Sequence, residues 1–196
     1  MDGTRITSEE KSTISAYIGL LILVVLGAGA IYLFFLGQKE KKETTGFDPN
    51  RPVPSDAVLK SRLTAEEFAV VRQGRTQMPF QNEFWENQRP GIYVDVITGE
   101  PLFTSLDKFD GGLGMPAFSK PITPELLVEY PDTSHEMQRT GLRSKRSNAL
   151  LGHLFPDEKS PTGRRYSINS AALHFIPLEQ MKAKDYESSL PLLEKK

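Results

Sequence analysis

Hydrophobic and polar positions divide this chain into an uncharged apolar run, a charged and proline-containing stretch, and a longer part built of short alternating segments. Residues 15–36 read SAYIGLLILVVLGAGAIYLFFL, 22 positions without a charge. As a helix this run is about 33 Å long, enough to cross a hydrocarbon layer of roughly 30 Å. Tyr17 and Tyr32 lie toward its two ends, where amphipathic rings favour the membrane interface. A cleaved signal peptide fits less well. The run exceeds a signal core, and lysines follow it where a small-residue cleavage site belongs. The pattern therefore predicts a transmembrane helix. Arg5 and Lys11 precede it, whereas Lys39, Lys41, Lys42 and Arg51 follow, so the positive-inside tendency places the C-terminal part in the cytoplasm.

Residues 1–14 read as a short N-terminal segment and 37–62 as a linker. The linker is charged at first, then carries Pro49, Pro52 and Pro54, which favour an extended spacer. The folded domain is expected over 63–177. Thr64 with Glu67 makes a capping box that opens a helix through about Gln73. Strand-like segments follow at 91–96, 102–105, 142–144, 149–155, 165–170 and 173–176, with turns at 98–101 and at the glycine-rich 110–114. This pattern predicts a small, mostly β domain with a barrel or folded-sheet core. Trp85 and the phenylalanines are expected in that core. Beyond Pro177 the chain is polar, and 178–196 reads as a frayed or partner-bound tail.

Composition narrows the chemistry. With 24 basic against 25 acidic residues, nothing in the charge balance points to nucleic acid. The chain has no cysteine, which removes disulfides, thiolate metal sites and thiol nucleophiles together. His135, His153 and His174 are widely spaced and lack a metal-ligand pattern. No cofactor is expected.

The segment Arg164-Arg165-Tyr166-Ser167-Ile168-Asn169-Ser170-Ala171 resembles the active-site strand of the B-type methionine sulfoxide reductases. Further blocks of that family follow in order: Met78-Pro79-Phe80 with Asn82-Glu83-Phe84-Trp85, Pro101-Leu102-Phe103, Lys108-Phe109-Asp110, Asp132-Thr133-Ser134-His135 with Arg139-Thr140, and Leu151-Gly152-His153-Leu154-Phe155-Pro156-Asp157. The resemblance covers about 63–177 and implies a β domain of two antiparallel sheets. It also implies roles. Ser167 stands where the family has its nucleophilic cysteine, which attacks the sulfoxide sulfur and becomes sulfenic acid. His153, Asp157, Arg165 and Asn169 would surround that position, or persist as paired polar groups of a strand corner. Leu113 stands at the usual resolving cysteine, Met115 at a tryptophan that cradles the substrate methyl, and Leu150 at a second histidine. Asp95, Thr98, Ser144 and Ser147 stand at the four zinc-binding cysteines of metal-bearing members, so no metal is expected.

Oxygen has no counterpart of the sulfenic-acid cycle, so the resemblance without its sulfur points away from an enzyme and toward a pseudoenzyme. Three functions follow. One is a membrane-anchored, inactive accessory subunit of a larger membrane complex, respiratory or photosynthetic for example. Another is a tethered methionine-R-sulfoxide reductase in which Ser167 was engineered. The third is a module that binds methionine or its sulfoxide.

Overall fold

The computed structural model describes residues 46–194. The expected transmembrane helix at 15–36 lies outside them; among the described residues no helix is long and apolar enough to cross a membrane. Two short helices come first, α1 (Asp56–Arg62) and α2 (Ala65–Gln73). The capping box is present: the Glu67 N–H donates to Thr64 Oγ1 over 3.2 Å, and the Thr64 N–H donates to Glu67 Oε2 over 2.7 Å. Gly74 ends α2 at φ 77°, a left-handed cap that costs glycine nothing sterically.

Among the described residues, nine strands make two antiparallel sheets. The smaller has the order β2 (Pro101–Thr104), β1 (Gly91–Asp95), β9 (Leu173–Pro177). The larger runs β3 (Lys108–Phe109), β4 (Ala117–Phe118), β8 (Arg164–Ile168), β7 (Leu150–Pro156), β6 (Arg139–Ser144), β5 (Leu127–Asp132). The core contains Tyr93, Phe103, Phe118, Leu142, Leu151 and Ile168, all fully buried. Phe103 stacks on Phe118 with centroids 4.4 Å apart, and Tyr93 meets the same ring edge-on at 5.0 Å. The mostly β, two-sheet expectation is thus met.

Several local expectations need correction. Phe80 is exposed and Trp85 half-buried; they pack edge-on against each other at 5.1 Å, outside the main core. Part of the expected linker is structured. Residues 56–62 are helical, with Leu59 buried, and the Arg146 guanidinium donates to the Pro49 and Arg51 carbonyls. Nor is the tail frayed over its described part. Strand β1 is buried on both faces. Its Ile92 and Val94 form a second apolar cluster with Ile176, Met181 and Tyr186, against which Phe47, Leu190 and Leu193 pack. A strand with apolar side chains on both faces needs a cover on each side, and residues after Pro177 supply the second one.

Candidate functional site

The register of the larger sheet aligns one row across all six strands: Tyr130, Gly141, His153, Ser167, Ala117 and Phe109. Directly paired residues of an antiparallel sheet share a face. Ser167 therefore sits on the same face as His153 and Ala117, one strand from each. Arg165 and Phe155 are paired one step along that face. Tyr166 and Ile168 point the other way, into the core. Strands β7 and β8 approach closely here: a Cβ on Gly152 would lie 2.0 Å from the Ser167 carbonyl oxygen. Glycine at 152 thus sets the spacing beside Ser167.

His153 is fixed by a partner two strands away. Its Nε2 lies 2.7 Å from Asp132 Oδ2, and the Arg139 guanidinium donates to the same oxygen over 2.9 Å. The hydrogen bond from His153, followed by those from the Ser134 side chain and backbone, holds the Asp132 carboxyl well below the usual carboxylate range. Arg139 also donates to Ser134 Oγ over 3.0 Å. Asp132 and Arg139 belong to a motif block whose residues had been given no role in the site. What brings them in is strand order, because β6 separates Asp132 from His153.

Arg165 forms an ion pair with Asp157 Oδ2 at 3.1 Å, donates to the Gly111 carbonyl over 3.4 Å, and lies over the Phe155 ring at 5.2 Å. Its Nε is buried with no hydrogen-bond partner among the described residues. Asp157 therefore reaches the site as the counter-charge of Arg165. Asn169 has a structural place: it is buried, its Oδ1 accepts from the Gln77 N–H over 3.0 Å, and its Nδ2 donates to the Leu151 carbonyl over 3.1 Å.

Leu113, which the resemblance sets at the resolving position, is 52% exposed. Met115 is half-buried, with Sδ 3.5 Å from Asn82 Nδ2. Leu150 is buried, so that position carries no polar group to the Ser167 face. A cleft of ≈ 670 Å³ runs beside the row and is lined by Tyr130, Asp132, Arg139 and Phe155 among others.

At the four positions that the resemblance gives to zinc ligands, the Asp95 and Ser147 side chains bond to each other, and the set does not suit a metal. Ser147 Oγ donates to Asp95 Oδ2 over 2.5 Å, while Asp95 Oδ1 accepts from the backbone of Ile97 and Thr98 at 2.7 and 3.1 Å. Ser144 Oγ accepts from the Ser147 N–H, and Thr98 Oγ1 from the Glu100 N–H, both over 3.3 Å. One carboxylate and three hydroxyls already committed to hydrogen bonds are a poor zinc donor set. Among the described residues, no group of three or more histidines and carboxylates is placed to hold a metal.

This fold is a small, mostly β domain of two antiparallel sheets. The SelR domain matches residues 63–177, and the chain belongs to that family, the B-type methionine sulfoxide reductases. It is 43% identical over 139 residues to a protein of Vibrio cholerae serotype O1 named peptide methionine sulfoxide reductase MsrA/MsrB. The match covers 71% of this chain and 37% of that relative, so the chain spans well under half of its length. The expectation that this chain is no enzyme is corrected by these findings: the family is enzymatic, and the relative bears a reductase's name.

Proposed function

We propose that this chain is a membrane-anchored domain of the methionine sulfoxide reductase type that engages methionine-R-sulfoxide side chains in polypeptides. The observation that carries the reading is the shared face of His153, Ser167 and Arg165 at paired register positions. A sulfoxide oxygen carries partial negative charge and accepts hydrogen bonds. The unpartnered Arg165 Nε–H is a donor near Ser167, while the His153 Nε2–H is committed to Asp132 and holds the ring in place. Removing the sulfoxide oxygen requires two electrons, which a hydroxyl cannot release. Any reduction at this site therefore draws its electrons from a thiol supplied by another molecule.

The anchor is residues 15–36, on the strength of their length and lack of charge. The basic residues that follow favour a cytoplasmic domain. Anchored in this way, the domain serves as an accessory subunit of a larger membrane complex, which co-migration after mild detergent extraction tests.

The test of the site uses the full chain in detergent and peptides bearing methionine-R-sulfoxide, methionine-S-sulfoxide or methionine. The R-sulfoxide peptide is expected to bind most tightly, and Arg165→Gln to weaken it about tenfold, the worth of one charge-assisted hydrogen bond. Ser167→Cys returns the family's sulfur to this setting and should raise dithiothreitol-dependent turnover above that of the wild-type chain. Equal binding of all three peptides, with no gain from Ser167→Cys, would sink the reading.

A further inference from the structure

On the smaller sheet, away from Ser167, a cleft of ≈ 560 Å³ lies against β9, the β1–β2 turn and the C-terminal segment. Arg51, Arg62, Arg89, His174 and Lys184 line it, the last four exposed. Arg62, Arg89 and Lys184 have no ion pair among the described residues, unlike Arg72, Lys120, Arg139, Arg164, Arg165 and Lys182. Two acids reach the cleft. Asp95 is buried, and its carboxylate is committed to Ser147, Ile97 and Thr98. Glu83 alone faces the cations as an exposed carboxylate. Beneath the charged rim lie Phe84, Val94, Ile97 and Ile176, all buried. Arg89 is held over the Phe175 ring at 5.0 Å. In a chain of net charge −1, this is a local excess of positive charge above an apolar floor.

We infer that this cleft binds the phosphate of an anionic lipid headgroup. The inference rests on the membrane-anchored reading above. A cationic rim over an apolar floor matches a phosphodiester joined to a glycerol backbone. The entry of the chain into the domain also lies beside the cleft. Gly46 backs onto Asp185, whose carbonyl oxygen would be 2.5 Å from a Cβ there, and Phe47 packs with the cluster that includes cleft-lining Tyr186. Ten chain steps separate residue 36, the end of the apolar run, from residue 46, at most about 35 Å when extended. A lipid surface within that reach supplies phosphates at high local concentration, and juxtamembrane arginines and lysines are the groups that anionic headgroups attract.

The experiment titrates the detergent-solubilised full chain, labelled at arginine, with dihexanoylphosphatidylglycerol, dihexanoylphosphatidylcholine or inorganic phosphate. The side-chain NMR signals of Arg62 and Arg89 are the readout. Phosphatidylglycerol should shift both signals saturably, phosphatidylcholine should not, and inorganic phosphate should bind at least about tenfold more weakly because it lacks the apolar portion. In the triple variant R62Q/R89Q/K184Q, phosphatidylglycerol binding is read from the His174 ring signals. It should weaken roughly a hundredfold, about fivefold per cation, whereas K159Q should leave it unchanged. Inorganic phosphate binding as tightly as the lipid would overturn the headgroup assignment. Absence of saturable shifts, equal shifts with phosphatidylcholine, or an indifferent triple variant would overturn the site. The micelle titration does not require residues 15–36 to span a bilayer. Carbonate extraction of native membranes tests that separately, so failure of the anchor and failure of the cleft are distinguishable.

Discussion

Replacing Asp95 with alanine should destabilise the domain by about 3–5 kcal/mol. Asp95 is fully buried, and its two oxygens accept from Ile97 N, Thr98 N and Ser147 Oγ at 2.7, 3.1 and 2.5 Å. Alanine strands all three donors. Ile97 and Ser147 are themselves buried, and each stranded buried donor costs about 1–3 kcal/mol. Thr98 is only partly buried, so water recovers some of its share. Ser147→Ala leaves one carboxylate oxygen and the Ala149 N–H unpaired, a cost of about 2–3 kcal/mol. Because the two residues bond directly, the double variant should fall short of the sum by more than about 1 kcal/mol. The assay is urea unfolding of the full chain in detergent, followed by fluorescence of Trp85, the one tryptophan. A metal chelator should not shift the wild-type midpoint. An Asp95→Ala cost within about 0.5 kcal/mol of zero, strict additivity, or a chelator-sensitive midpoint would refute the argument that hydrogen bonds join these two turns.

Met181→Ala should cost about 2–5 kcal/mol, because Met181 is completely buried against Ile92, Val94 and Ile176; a loss below about 1 kcal/mol in the same unfolding assay would mean the C-terminal segment is not part of the cooperative unit. The Tyr186 phenol is pushed up to about 12 by burial and donates to the Gly99 carbonyl over 2.8 Å. Its folded-state value is raised, so its contribution is complete below the unfolded value of about 10 and is lost as pH rises through the folded one. Alkaline unfolding monitored by tyrosinate absorbance should therefore begin earlier for wild type than for Tyr186→Phe, each measured relative to its own stability at neutral pH; superimposable normalised profiles would count against this.

Local signals carried much of the fold. The Thr64–Glu67 capping box is read from four consecutive positions and forms as expected. Strands β1, β7, β8 and β9 bury continuous apolar faces and are visible in the pattern. Strand β5 is not, because it is a sheet edge with Val128, Glu129 and Pro131 exposed, and proline is tolerated there but weakens the strand signal. The two-residue strands β3 and β4 are too short to show a period. The second cluster was hidden because Met181, Tyr186, Leu190 and Leu193 are spread among lysines and glutamates. Its sign lay instead in β1, where Ile92 and Val94 face away from Tyr93 yet are apolar. Likewise, the Ser167 position and its neighbours His153 and Arg165 could be placed by motif. The Asp132 contact to His153 could not, since it depends on β6 lying between their strands.

The arrangement at Asp95, Ser144 and Ser147 bears on the alternative that cysteines were engineered out of this chain. A deliberate replacement of cysteines would install isosteric serines or alanines one at a time, with no reason for the new side chains to satisfy each other. Here Asp95 accepts from Ser147, Ser147 also accepts from the Ala149 N–H, and Ser144 accepts from the Ser147 N–H. All three are buried, where an uncompensated carboxylate or hydroxyl would be costly. Asp95 caps its own turn through Ile97 N and Thr98 N, and the hydroxyl at 147 adds the bond across to the second turn. The pair holds the β1–β2 turn to the β6–β7 turn. Near Ser167, His153 is bonded to Asp132 and Arg165 is paired with Asp157, while Leu113 is an exposed apolar residue that no engineer removing a thiol would choose.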